Sequence, residues 1–346
     1  MTKLNRFMLA GIFLSLTSII FTPLARGQIF MVNGYDYSVR QFTFSGSGSV
    51  FVPVSTGLLS PTGLAFDPAG YLYVADNGHH RIDKFASDGS YTIFGSLDPV
   101  SVSGLAFSGN NLYVASYGNS KIFKFDQNGN RSDFITGFNG ISAITFDSTG
   151  NLFVADGYSN TVVKITQAGN SSIFADASDG LNAPVDLAFK AGILYVVNFN
   201  SNTILKFDSN GNGSVFANTF VDQAVSLAFD GVGNLYVVNN GNDSIGRNFI
   251  AKYDSNGNGS YFNTNFLGIG FIAIQSGCAP GVMSIAEYAG VTVSGSIGCT
   301  YRVDYTTDLN NPTWIPLVTN TLLSSPFLFI DTNVVSGSRF YRAITQ

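Results

Sequence analysis

Residues Gly63 to Gly89 read GLAFDPAGYLYVADNGHHRIDKFASDG, and this stretch returns along the chain about every forty residues. It holds an apolar GLAF cluster, a turn at Asp67-Pro-Ala-Gly70, an apolar LYVA cluster and the segment RIDKF. LYVA-like clusters begin at Ile29, Leu72, Leu112, Leu152, Leu194 and Leu235, which makes six copies. GLAF-like clusters end at Phe66, Phe107, Phe146, Phe189, Phe229 and, in altered form, Ile274. A further segment follows each hairpin turn: GSVFVP at 48, SYTIFG at 90, RSDFIT at 131, SSIFAD at 171, GSVFAN at 213 and GSYFNT at 259. Each unit therefore reads as four short strands separated by Gly, Asn, Asp and Pro, whose backbone preferences reverse a strand tightly. Units of that kind at that period are propeller blades. The first copy lacks a GLAF strand, and the last such strand, Phe271 to Ile274, lacks followers. The expectation is a six-bladed all-β propeller over residues 28–276, its first blade taking its inner strand from the far end so that neither terminus leaves an open edge.

Composition points the same way and narrows the chemistry. The 346 residues are 45% hydrophobic and only 11% charged, with 38 Gly, 32 Asn, 31 Phe, 16 Tyr and a single Glu, Glu287. Helix formers are scarce and strand and turn formers abundant. A formal charge of −5 argues against a nucleic-acid surface, and two His and two Cys leave little for acid–base or metal chemistry.

At the amino terminus, Lys3 and Arg6 precede an apolar run from Phe7 to about Phe21 and then PLARGQ. That is the layout of an export signal, with small residues Ala25 and Gly27 ahead of a cut after Gly27. The run is shorter than the ~20 residues that span a bilayer. Residues 1–27 are thus expected to be removed, leaving a secreted or periplasmic chain with no transmembrane segment. Removal takes away Lys3, Arg6 and Arg26 and no acid, so 14 basic residues face 22 acidic ones and the charge becomes −8. In an oxidising compartment Cys278 and Cys299 are expected to form a disulfide, contributing ~3 kcal/mol by loop closure. They lie in residues 277–346, where the forty-residue pattern stops and VMSIAEY, VTVSG, TYRVDYT, TWIPLVT, FLFID and RFYRAIT read as a six-strand β-sandwich. Trp314, Tyr301, Phe340 and Tyr341 are its expected core.

The run VADNGHHRIDKF, Val74 to Phe85, resembles the NHL repeat, and residues 28–276 are similar to secreted bacterial NHL-type six-bladed propellers. The resemblance implies the fold more than the function, because such propellers include binding scaffolds, sensors, lactonases and lyases. TYRVDYTTDLNNPTWIPL followed by SRFYRA resembles a small fibronectin-like carboxy-terminal module. Within the NHL pattern His80 and Arg81 match a structural signature. Gluconolactonase-like propellers, to which the repeat is also broadly similar, hold a divalent ion with a Glu, an Asn and an Asp; this chain has no Glu in the propeller. Streptogramin-lyase-like propellers use seven blades and a catalytic His, and six blades with few His depart from that pattern.

The loops leaving the six LYVA strands open on one end of the ring. Their first polar residues are Asn33, Asp76, Ser116, Asp156, Asn198 and Asn239, one per blade. Such side chains either fold back on their own loops or form a polar cup. With Tyr35, Tyr37, Tyr117, Tyr158 and Phe199 beside them, that cup suits an uncharged polar ligand such as a glycan, or a protein partner. Asp186 breaks the series Gly63, Gly104, Ala143 and Ser226 that opens the other inner strands. With Asp156 and Asn198 it is a candidate site for a divalent, calcium-like cation at the channel mouth; hydrogen bonding to backbone amides is the competing role. Asp208 and Asp254 open D-x-N-x-N-G stretches that lack the closing acid of a calcium loop and fall where a hairpin turn is required. The expectation is a binding scaffold, with a metal-dependent hydrolase of the gluconolactonase-like class as the alternative.

Overall fold

The computed structural model describes residues 27–97, 101–218, 220, 223–240, 248–266, 268, 270–275, 282–285, 290–294, 300–306, 313–321, 327–330 and 340–345. Six four-stranded antiparallel sheets form an all-β, six-bladed propeller. Blade II shows the plan: inner strand Pro61–Phe66, second strand Leu72–Asp76, third strand Arg81–Phe85 and outer strand Tyr91–Ser96. Blades III to VI repeat it. Blade I combines Gln28–Val32, Val39–Thr43 and Gly48–Val52 with Ile272–Gln275, which pairs antiparallel with the first of these and sets Ile29 opposite Ile274. The carboxy-terminal residues form two three-stranded sheets. One contains Val282–Ile285, Gly290–Ser294 and Phe327–Ile330; the other Ile315–Thr321, Thr300–Thr306 and Phe340–Thr345. Tyr301 is buried there and Trp314 partly so. Cys278 and Cys299 lie outside the described residues, as do the side chains of Phe340 and Tyr341.

The second strand is buried along its whole length in blades II, IV and VI and along most of it in blades I, III and V, because it has a sheet neighbour on each edge and a blade on each face. One aromatic side chain of that strand points at the following blade. Tyr73 packs edge-on against Phe94 of its own outer strand and Phe107 of the next inner strand, with centroids 4.9 Å apart in both cases. The same triad recurs as Phe30–Phe51–Phe66, Tyr113–Phe134–Phe146, Phe153–Phe174–Phe189 and Tyr195–Phe216–Phe229, with centroid distances of 4.8 to 5.1 Å. At the sixth interface Tyr236 meets Phe262 at 4.9 Å, and Ile274 joins the cluster where the other inner strands carry Phe. Edge-to-face pairs add ~1 kcal/mol each to the area they bury. The abundance of Phe and Tyr thus has a geometric destination between blades.

Lower-face turns are built around Asp. Asp208 Oδ1 accepts the amides of Asn210 and Asn212 at 2.8 and 3.0 Å, and its Oδ2 accepts the Asn212 side-chain amide at 2.8 Å. Asp126, Asp147, Asp230 and Asp254 do the same in their turns. These hydrogen bonds hold the carboxyls of Asp126, Asp208 and Asp254 below their ordinary range, the side-chain amide being the largest cause. The carboxylates at Asp208 and Asp254 therefore close hairpins, which is the role the missing twelfth ligand had pointed to.

Gly129, in one such turn, has φ +81° and sits against the preceding blade: a Cβ there would lie 1.9 Å from the Phe94 carbonyl oxygen. Gly169 has φ +84° with open space around it. Gly169→Ala is expected to cost about 1 kcal/mol, the backbone penalty alone, and Gly129→Ala about 3 kcal/mol because the blades must also part. Chemical denaturation of both variants checks this; equal losses would contradict it.

Candidate functional site

On the upper face, the loops leaving the second strands meet the loops entering the inner strands. All six polar residues at the ends of the second strands are buried, with exposures of 0 to 4%. Asp156 accepts the amides of Asn139, Gly140 and Ser159 at 2.8, 3.0 and 3.1 Å. Asn198 accepts the Asn182 amide at 3.1 Å and donates to the Gly180 carbonyl at 2.9 Å and to Thr203 Oγ1 at 3.2 Å. Asp76 accepts the Leu59 amide at 2.9 Å and takes His79 Nδ1 at 2.8 Å. Asn33, Ser116 and Asn239 also bond locally, to Tyr35, Asn119 and Val237. Asn and Asp recur at this position because a short polar side chain at a strand end satisfies loop amides that the ladder leaves bare. The ring organises the upper loops, and its polar atoms face inward.

The aromatic residues of the same loops face outward. Tyr35 is 70% exposed, Tyr158 66% and Tyr117 45%, with Tyr37 at 37%; Phe199 is half-buried. Tyr117 and Tyr158 come from blades III and IV, and their rings meet with centroids 5.7 Å apart and hydroxyls hydrogen-bonded. The described residues 101–103, 116–120, 137–142 and 157–160 around them include no charged residue, and Asp98, in the loop that leads to Ser101, lies outside the described residues. Leu59, 43% exposed, adds apolar surface at blade II; sequence reading passed over it because it lies outside the repeated clusters.

A cavity of about 280 Å³ follows the axis, lined by the inner strands. Asp186 is the one charged residue among its lining residues. Its Oδ2 accepts the Ser226 hydroxyl at 2.7 Å and the Leu227 amide at 2.9 Å, and its Oδ1 accepts the Leu187 amide at 2.8 Å. Ser226 Oγ in turn accepts the Ile272 amide at 3.1 Å. An arc of hydrogen bonds thus links the inner strands of blades V, VI and I. Burial pushes the Asp186 carboxyl up to about 6 despite these donors. Asp156 and Asn198 turn to their own loops and Asp186 to the neighbouring blade, so the three share no partner. Among the described residues no group of three or more His, Cys, Asp or Glu converges as metal ligands would. The role of Ser226 had no sequence signal, since a small residue there continues the Gly and Ala series.

A second titratable cluster lies at the edge of blade II. Arg81 Nε stands 2.9 Å from Asp83 Oδ1, with Nη2 3.1 Å from Oδ2 and 3.6 Å from Asp76. Burial raises the Asp83 carboxyl above its ordinary value against the pull of Arg81. His80 adopts a left-handed backbone, φ 52°, closing the loop. The HHR run is therefore tied into loop structure through Asp76 and Asp83.

A family model of the NHL repeat matches residues 58–85, the stretch that holds His79, His80 and Arg81. No curated protein matches the chain. Among solved structures, a chain of a nidogen/laminin complex is 19% identical with a TM-score of 0.62, the match covering 72% of this chain and 98% of that one. Virginiamycin B lyase from Staphylococcus aureus is 16% identical with a TM-score of 0.55 over 76% and 89% of the two chains. A streptogramin B lyase is 16% identical with a TM-score of 0.53 over 79% and 92%. At these identities the likeness defines the class of fold, a β-propeller with an NHL repeat.

Two outcomes follow from the site's geometry. Asp156→Ala strands three loop amides, with an expected loss of about 3 kcal/mol in denaturation and faster hydrogen exchange at Asn139 and Gly140. For Asp186, a folded value of about 6 above the ordinary 3.8 means that folding favours the protonated form. Its contribution is full below pH 3.8 and is lost as the pH rises through about 6. The stability of the wild type relative to Asp186→Asn is expected to fall across that window and level off above it; denaturation of both proteins from pH 3.5 to 8 measures the difference.

Proposed function

We propose that this protein is an exported binding scaffold that presents the upper face of its propeller to a polar, uncharged ligand such as a glycan. The observation that carries the reading is the separation of roles on that face. The Asn and Asp ring is consumed by the loops, while Tyr117 and Tyr158 stand exposed beside uncharged described loop residues and Tyr35 stands exposed next to the Asp36–Arg40 ion pair. Aromatic faces with nearby backbone and amide hydrogen-bonding groups suit the mixed surface of a sugar, and among the described residues of the loops around Tyr117 and Tyr158 a charged ligand would find no counter-ion. The nidogen/laminin neighbour, a propeller whose structure is that of a protein complex, supports a binding use of this fold.

In this reading residues 1–27 are a cleaved export signal, residues 28–276 are the propeller locked by its first and last strands, and residues 277–346 are a fibronectin-like β-sandwich that spaces or places it. Among the described residues no helix is long and apolar enough to cross a membrane. The sandwich is stapled by Cys278 and Cys299, so thiol titration of the unfolded protein is expected to find no free thiol until a reductant is added. The lactonase-type alternative requires a channel metal. The oxygens of Asp186 are turned to three protein donors, and Asp156 and Asn198 to their own loops, an arrangement that favours the scaffold.

A glycan array with purified protein tests the proposal. Binding is expected to fall at least tenfold in the Tyr117→Ala, Tyr158→Ala double variant with little change in unfolding midpoint, because both side chains are exposed. Binding that survives the double variant, or an array with no glycan bound while a protein partner is captured at the same face, would overturn the glycan assignment. A stoichiometric divalent ion lost in Asp186→Ala, together with lactone turnover, would replace the scaffold reading with the hydrolase.

A further inference from the structure

The Tyr117 and Tyr158 side chains belong to different blades, yet they are held as a pair. Tyr117 N–H donates to the Ser101 carbonyl at 3.1 Å. On the other side Gly157 N–H donates to the Gly140 carbonyl at 2.9 Å, and Ser159 N–H donates to the buried Asp156 carboxylate at 3.1 Å, so both residues flanking Tyr158 are anchored. Gly140 matters here: a Cβ at that position would lie 2.7 Å from Tyr158 Cδ2, so only glycine lets the ring lie over the loop. The result is two phenols sharing a hydrogen bond, ring centroids 5.7 Å apart and planes inclined at 64°, with both rings open to solvent. A shared hydroxyl contact holds the two phenols together at one place on the surface. That arrangement makes reaction between them effectively unimolecular.

We propose that Tyr117 and Tyr158 form an oxidative cross-linking site, joined as dityrosine by a haem peroxidase acting with hydrogen peroxide, which ties blade III covalently to blade IV across the upper face. Each phenol gives up one electron and its hydroxyl proton. The two phenoxyl radicals couple through the ring carbons ortho to oxygen, forming one carbon–carbon bond. The two ortho hydrogens then leave as protons while the phenol oxygens are reprotonated, so the protein loses two hydrogen atoms in total. Peroxide takes up those two electrons and two protons, its oxygen–oxygen bond breaks, and two waters form. The hydrogen bond to Tyr158 raises the Tyr117 phenol above its ordinary value, so Tyr117 is protonated at neutral pH and loses its proton together with the electron. Tyr35, on the loop of blade I, is still more exposed; it provides an internal comparison for ordinary surface oxidation. The cross-link depends on the geometry of the pair and not on what the upper face binds.

The experiment treats dilute purified full-length protein with a haem peroxidase and hydrogen peroxide, then reads dityrosine fluorescence and a peptide map by mass spectrometry. The expected result is one cross-linked peptide joining the segments around Tyr117 and Tyr158, lighter by two hydrogens, in protein that still runs as a single chain. The peptide is expected to vanish in Tyr117→Phe and in Tyr158→Phe, which keep the rings, and to persist in Tyr35→Phe. Absence of the peptide from wild-type protein while free tyrosine dimerises in the same reaction would overturn the proposal. So would cross-links that mainly join separate molecules, or a peptide that persists in both of the first two variants. Circular dichroism of each variant confirms that the comparison is between folded proteins, and the wild-type map decides the question by itself if a variant does not fold.

Discussion

Each blade of this ring is held to the next by an aromatic side chain that belongs to both. A single blade is a twisted four-stranded sheet with apolar residues on its two faces and cannot bury them alone. Tyr73, Tyr113, Phe153 and Tyr195 resolve this at successive interfaces, each standing between a Phe of its own outer strand and a Phe of the following inner strand. The inner-strand Phe sits at the lower end of its strand and the outer-strand Phe farther from the axis, so each triad spans much of the blade's width. Edge-to-face geometry then sets how far one blade is rotated from its neighbour. The altered interface is the one next to the chain ends, where Ile274 occupies the inner-strand position. There the pairing of Gln28–Val32 with Ile272–Gln275 adds a hydrogen-bonded connection between the two ends of the domain.

With the blades set by aromatic packing, polar side chains are left to shape the two faces. Below, Asp carboxylates close the hairpins; above, the buried ring from Asn33 to Asn239 fastens the loops. Asp156 shows how the two ends of the argument connect. By accepting amides from Asn139, Gly140 and Ser159 it fixes the loop over which Tyr158 lies, and through Tyr158 it fixes the aromatic surface shared with Tyr117. A buried residue thus determines what the face offers to a partner. In the channel, the Asp186–Ser226–Ile272 arc does a similar service for inner-strand amides that have no sheet neighbour.

Much of this architecture was legible in the sequence because a propeller writes its plan once per blade. The GLAF and LYVA clusters marked the inner and second strands, and the Asp-x-x-Gly and Asn-Gly stretches marked the turns. The destination of the aromatic residues was not legible. Tyr73 and Phe107 lie far apart in the chain, and nothing in a period-two pattern says which aromatic side chain crosses to the next blade. The site divided along the same line. Asn33, Asp76, Ser116, Asp156, Asn198 and Asn239 were recognisable as one structural ring, but whether their side chains faced loop or ligand depended on loop amides whose positions only the folded chain supplies. Asp186 stood out as a break in a small-residue series; its partner Ser226 did not, because serine continues that series. Tyr117 and Tyr158 were both visible as upper-loop residues, whereas their contact required the blades to be placed side by side.

The aromatic interlock is tested most directly by a double-mutant cycle on Tyr195 and Phe229, which meet at 4.8 Å across the boundary between blades V and VI. Stabilities of the wild type, Tyr195→Leu, Phe229→Leu and the double variant, measured by chemical denaturation, yield the coupling between the two rings. The account predicts a favourable coupling of about 1 kcal/mol, with each single variant less stable than the wild type. Strictly additive losses would mean that the rings merely fill space, and the claim that paired aromatic side chains set the blades against one another would be contradicted.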